Sequence, residues 1–253
     1  MFHRKHAVRG AGAVLLLATL TQAGVGQDLP PAQDLIDRYV EGLGGRDAYL
    51  DQGSTHMKGS FSVPAAGMTG GLEVFSDDAE RILTIITIPG MGESRTGYDG
   101  EVAWSIDPMM GPRILEGMEL EALRDQANPE ATLRDAEYFE VRETVELTEV
   151  GGDACYKVRL VWKSGRESFD CYSADTGLLI GNMMTQETPM GAIDVTTVIG
   201  DYKEFGGIMA PTSMRQQLMG QEQVMTVETI EFGDVDPAIF ELPTEIKDLK
   251  GGS

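Results

Sequence analysis

Five features of this chain could carry chemistry: two cysteines, a histidine, close carboxylate pairs, a glycine-rich stretch and clustered methionines. Cys155 and Cys171 are the only cysteines, and a disulfide is the default for such a pair in an exported protein. If Ser164-Gly165 makes a two-residue turn, the sulfurs fall on opposite faces of a hairpin. A bulge or a three-residue loop brings them diagonally onto one face, where a bond needs Cα atoms within about 7 Å. No CxxC spacing or third ligand accompanies them, which argues against a metal or redox site. His56 opens a strand and reads as a surface residue. Asp77-Asp78, Glu146 with Glu149, and Asp234 with Asp236 are pairs that 41 acidic residues produce by chance, and none has the ligand spacing of a calcium loop. Pro89-Gly90-Met91-Gly92-Glu93-Ser94 begins like a dinucleotide fingerprint, lacks its third glycine and runs into a strand, where a phosphate site needs a helix start. The chain therefore reads as a non-enzyme with no catalytic residues, cofactor or metal.

The methionines are more informative. Of fourteen, Met91, Met109, Met110, Met183, Met184 and Met190 fall in three clusters beside Gly or Pro. Thioether side chains are flexible and polarizable, so a surface built from them adapts to apolar ligands of varied shape, whereas Leu and Ile define a fixed core. Ile82, Ile86, Ile88, Trp104, Val158, Leu160 and Trp162 are expected to share one alternation register. Together with Met91, Met109, Met110, Met183 and Met184 they are the candidate lining of a hydrophobic ligand site.

A sheet must position them. Pro30-Pro31 opens a helix whose Leu35, Ile36, Tyr39, Val40 and Leu43 share one face, and Gly44-Gly45 stops it. From Thr55 onward, short alternating segments bounded by Gly, Pro, Asp or Asn predict antiparallel hairpins. The strand signal stops between Asp107 and Tyr138, where residues 118–126 and 129–136 read as helical. Clean alternation gives each strand one wet face, which favours a single curved sheet. The expected class is β-rich α+β: one curved antiparallel sheet, an unclosed half β-barrel of about 10–11 strands, covered by the N-terminal and mid-chain helices.

Residues 1–26 combine Arg4, Lys5 and Arg9, an apolar run from Ala11 to Leu20 and a small-residue zone, the pattern of a secretory signal peptide; residues 27–253 then form one domain. The formal charge is −21 over the whole chain, with 20 basic residues, three of them in the leader. Nucleic acid is excluded, because a polyanion requires clustered Lys and Arg. No apolar run approaches the roughly 20 residues of a membrane span.

Several segments carry a family likeness. Leu35 to Ala48, Tyr98-Asp99-Gly100-Glu101-Val102-Ala103-Trp104, Cys155 through Leu179, Asp201 to Ile208 with Pro211, and Asp236-Pro237-Ala238-Ile239-Phe240-Glu241-Leu242-Pro243 resemble bacterial outer-membrane lipoprotein-sorting proteins, the LolA-like carriers. The resemblance implies an unclosed barrel capped by helices, in the periplasm of a Gram-negative-type bacterium, with lipid or lipoprotein acyl chains as cargo. The expected function is an apolar-ligand carrier without chemistry; the alternative is an envelope sensor or interaction module that binds a protein partner on the same scaffold.

Overall fold

The computed structural model describes Met1 and residues 28–188, 191–218, 220–233 and 235–251. The expected leader apart from Met1 falls outside this set, as do Met190 and Asp234. Helices α1 (Ala32–Gly42) and α2 (Arg46–Leu50) come first, and α1 ends where Gly44 takes φ 112°. A meander follows: β1 (Thr55–Val63), β2 (Met68–Asp77), β3 (Arg81–Ile88), β4 (Gly92–Tyr98), β5 (Ala103–Asp107) and β6 (Gly111–Leu115). Helices α3 (Met118–Ala127) and α4 (Pro129–Thr132) interrupt it, the Asn128 side chain capping α4 by accepting from the Ala131 amide. Then come β7 (Phe139–Val150), β8 (Asp153–Trp162), β9 (Glu167–Ser173), β10 (Leu179–Thr188) and β11 (Gly191–Gly200). A small hairpin of β12 (Lys203–Phe205) and β13 (Ile208–Ala210) leads to β14 (Ser213–Leu218), β15 (Gln221–Phe232) and helix α5 (Thr244–Gly251).

Thirteen strands form one sheet in the order β6-β5-β4-β3-β2-β1-β15-β14-β11-β10-β9-β8-β7, and every pairing is antiparallel. β6 and β7 stay unpaired with each other, so the sheet is not closed into a barrel. The count exceeds the expected 10–11 in part because β6 was not legible, and the β12–β13 hairpin stands apart as a second, two-stranded sheet. Pro112 sits inside β6, and proline is tolerated in a strand only at a sheet edge, which β6 is.

The sheet bends enough for one helix to touch both arms: α3 packs on β3, β4 and β5 and reaches β10 across the hollow. A bulge contributes. The β1–β15 register shifts between Lys58 and Gly59, and a Cβ on Gly59 would stand 1.8 Å from the Thr226 carbonyl oxygen. Only glycine lets the two backbones approach so closely where the strand bends.

On the inner face, α1 docks Leu35, Ile36, Tyr39 and Leu43 against Phe139, Val158, Leu160, Trp162, Tyr172 and Leu179. Each fully buried aliphatic side chain contributes about 2 kcal/mol, so this stripe is the main attachment of the helix. Over the opposite arm, α3 covers Ile82, Tyr98, Ala103 and Leu115. The expectation of a wet outer face fails at β2 to β5. There α5 and the turn Pro237–Phe240 bury Phe75, Leu83, Val102 and Trp104. The nearly unbroken apolar run Arg81–Ile88 is the reason: a strand covered on both sides reads continuous rather than alternating.

Candidate functional site

Cross-strand partners share a face, so the registers trace the inner surface from one arm to the other. Ile86 pairs with Leu72, Leu72 with Gly59, and Phe61 with Met225. Met225 in turn pairs with Met214, Met214 with Ile199, and Val195 with Met184. Met184 pairs with Ser168, and Ser168 with Leu160. The two ends of this surface are covered by α3 and by α1 with α4. Between them lies a central strip in which Phe61, Val63, Leu72, Val195 and Val227 are buried, while Met57, Met68, Ile86, Ile88, Met184, Met214 and Met225 remain only half-buried. The strip is largely apolar and rich in thioethers, with Thr197, Gln216 and Gln223 as polar positions in its middle.

The floor beneath α4 is polar in one place. Asp170, fully buried, accepts from Arg134 Nε at 2.6 Å, from Asn182 Nδ2 at 2.7 Å and from Tyr172 Oη at 3.2 Å. Arg134 Nη1 donates to the Ala131 and Thr132 carbonyl oxygens, and the guanidinium lies over the Trp162 ring. Burial pushes the Tyr39, Tyr172 and Tyr202 phenols well above their ordinary range, with Arg134 pulling the other way. Asp170 thus accepts three hydrogen bonds within one buried polar network. Among the described residues, one carboxylate trio has metal-like spacing, Glu130 with Asp135 and Glu137. Arg46 holds two of its members in ion pairs.

No family model matches this chain, and a search among curated proteins returns no match. Solved structures do share its architecture. A LolA superfamily protein from Nitrosomonas europaea aligns at 14% identity with a TM-score of 0.56, covering 85% of this chain and 99% of its own. This chain has a LolA-like fold. A DUF1329 family protein from Desulfovibrio piger aligns at 16% identity and a TM-score of 0.54, covering 84% of this chain and 98% of its own. At such identities the likeness is one of fold, and function must be argued from the site.

On this LolA-like sheet the twelve predicted lining residues separate into four groups. Ile86, Ile88 and Met184 lie half-buried in the central strip. Ile82, Val158, Leu160 and Trp162 also face inward, but α3, α1 and α4 cover them, and Trp162 is held by its Nε1 donating to Ser168 Oγ at 3.0 Å. Trp104 and Met183 point the other way. Trp104 pairs with Gly97 and so shares the outer face of Leu83, while Met183 pairs with Phe169 on the outer face. Trp104 lies flat on Gly97, where a Cβ would meet its ring at 2.8 Å. Met91, Met109 and Met110 occupy exposed turns beyond the strip. The expected single register is thus corrected by strand parity: the odd-numbered Leu83 and the even-numbered Trp104 share a face because of the hairpin register between them.

Met57, Met68, Met214 and Met225 were missed as strip residues. Their signal was present, since Met57 alternates with polar neighbours, but scattered single methionines carry less weight than clusters. Cys155 and Cys171 are bonded on the outer face, with Cα atoms 5.4 Å apart. The three-residue alternative is the one adopted: the Trp162 amide donates to Arg166 O at 2.9 Å, enclosing Lys163, Ser164 and Gly165. Cys171 then pairs with Lys157 and lies diagonal to Cys155. Two grooves also indent the surface, about 660 Å³ beside Tyr202 and Arg215 and about 540 Å³ between α1 and Arg134, and neither contains a predicted lining residue.

Proposed function

We propose that this protein is a non-catalytic periplasmic carrier whose inner strip holds an apolar ligand, a lipid or a lipoprotein acyl chain. The observation that carries the reading is the largely apolar, half-buried strip between the two helix-covered arms, with Met57, Met68, Met184, Met214 and Met225 distributed along it. An acyl chain laid there gains about 0.8 kcal/mol for each CH₂ removed from water, so no catalytic group or cofactor is needed for affinity. Thioethers let the strip conform to chains of different length and branching. The LolA-like architecture supports the same reading, and a secretory leader over residues 1–26 would supply the compartment.

Titration with a fluorescent fatty acid tests it. The expected result is saturable binding that weakens at least tenfold in Met225→Glu and Met214→Glu, with the unfolding midpoint held. Saturable binding that both variants leave unchanged, or no binding together with no lipid extracted from protein purified from a native envelope, overturns it. Cross-linking to one envelope protein, undisturbed by added lipid, would favour the interaction-module reading instead.

A further inference from the structure

The two ends of the curved sheet differ in chemistry. Val63 pairs with Met68, Ile88 with Gly92 and Asp107 with Gly111, so the β1–β2, β3–β4 and β5–β6 turns emerge at one end. Residues 64–67, 89–91 and 108–110 contain no charged side chain, and Met68, Met91, Met109 and Met110 stand in or beside them. Charges described at this end include Asp107 and the exposed Glu93, which flank two of these turns, and Lys163 and Arg166 in the β8–β9 turn, the latter paired to Asp125 of α3 at 2.6 Å. The opposite end carries Asp78 and Glu80, Asp99 and Glu101, Asp153 and Asp175 in or beside its turns. In a chain of formal charge −21, three turns whose own residues carry no charge set this end apart.

Met109, Met110 and Met91, at 84%, 59% and 46% exposure, are the most exposed large apolar residues after Met1 among those described. Their two turns touch, since a Cβ on Gly92 would stand 3.2 Å from the Pro108 ring. The Asp107 carboxylate accepts from the amides of Met109 and Met110 at 2.8 and 3.1 Å, which fixes the shape of that turn. The half-buried strip reaches the same end at Met68, Ile88, Ile193 and Leu218.

We propose that this methionine rim docks on the surface of a lipid bilayer, placing Met91, Met109 and Met110 in the interfacial layer and the acidic end in water. The docking needs only the rim; its purpose, to let an apolar chain pass between bilayer and strip without crossing water, rests on the carrier reading. The occupant is lipid for two reasons. The side chains that stand out from the two touching turns are thioethers, and they continue the half-buried strip through Met68 and Ile88, so an acyl chain meets one apolar path from the rim inward. A second copy would bring another formal charge of −21 against the first. The same charge sets the lipid class: a zwitterionic surface is accepted and an anionic one repels the body of the protein.

Flotation of the leader-free protein with pure phosphatidylcholine vesicles tests this. The expected result is co-flotation that falls at least tenfold in the Met109→Asp/Met110→Asp double variant, with fatty-acid affinity in vesicle-free solution and the unfolding midpoint both unchanged. Replacing part of the phosphatidylcholine with phosphatidylglycerol should weaken flotation, and 0.5 M NaCl should restore it, because salt screens repulsion. Absence of flotation, equal flotation of the variant, binding that grows with phosphatidylglycerol, or retention on native membranes but not on protein-free vesicles each overturns the proposal. Flotation without fatty-acid binding sinks the carrier reading and leaves the docking intact; fatty-acid binding without flotation does the reverse.

Discussion

At the scale of the residue, the most consequential side chain is Asp170, because it is a charge with no access to water. Asp170→Asn keeps the shape but leaves Arg134 buried without its counter-charge, and breaking such a pair costs about 3 kcal/mol or more. Urea unfolding should show that loss, and the double variant Arg134→Met/Asp170→Asn should recover part of it; a single variant as stable as the parent would show that the pair is not coupled. The buried phenols give a second expectation. Tyr39, Tyr172 and Tyr202 are kept protonated by burial in the folded protein, whereas in the unfolded chain they ionise near pH 10, as free tyrosine does, at about 10. Above that pH the folded state holds more protons than the unfolded one, so stability is intact below pH ~10 and falls as pH rises beyond it. Tyr202→Phe, which gives up a hydrogen bond to the Leu179 carbonyl oxygen, should make the alkaline decline shallower while lowering stability at neutral pH. An equally steep decline would mean that other groups govern it. None of this network was legible beforehand. Asp170 and Arg134 stand 36 positions apart, and only a register across β8, β9 and β10 brings Asp170, Asn182 and Tyr172 to one spot.

At the scale of the element, the disulfide joins two neighbouring strands and closes a segment with a sequence separation of 16. In the chain-entropy account such a loop is worth about 3 kcal/mol, so the Cys155→Ala/Cys171→Ala variant should unfold at lower urea by that amount under non-reducing conditions. A difference near zero would place the stability of the hairpin in its packing alone. Elements with a period were the legible ones. The α1 stripe, the α3 and α4 segments and most hairpins follow from residue spacing, because burial on one face imposes that spacing. Elements covered on both faces or built from few residues were not. Trp104 looked like an inner-face residue until α5 and residues 237–240 were found on the outside, and α5 has too short a stripe to announce which surface it covers. Met183 and Met184 differ only in parity, and a one-residue slip in register decides which of them faces inward.

At the scale of the whole molecule, charge is distributed against stability. A formal charge of −21, with acidic turns gathered at one end, repels itself in the folded state. Raising NaCl from about 10 to 200 mM shortens the screening length from roughly 30 Å to under 10 Å, so the thermal midpoint should rise; an unchanged midpoint would show that the Arg and Lys partners of these acids already neutralise the repulsion. The seam between β6 and β7 has a further effect. A closed barrel has a girth set by strand number and stagger, and it cannot widen without tearing ladder bonds. Here the two margins are free of each other, one shielded by α5 and the other interrupted by two register shifts and lined with Glu140, Glu143, Glu146 and Glu149, which discourage a foreign strand from adding on. The sheet is built like a split collar: its girth is not locked by strand number and stagger, and what spans the hollow is the packing of α3 on both arms rather than a ladder of backbone bonds.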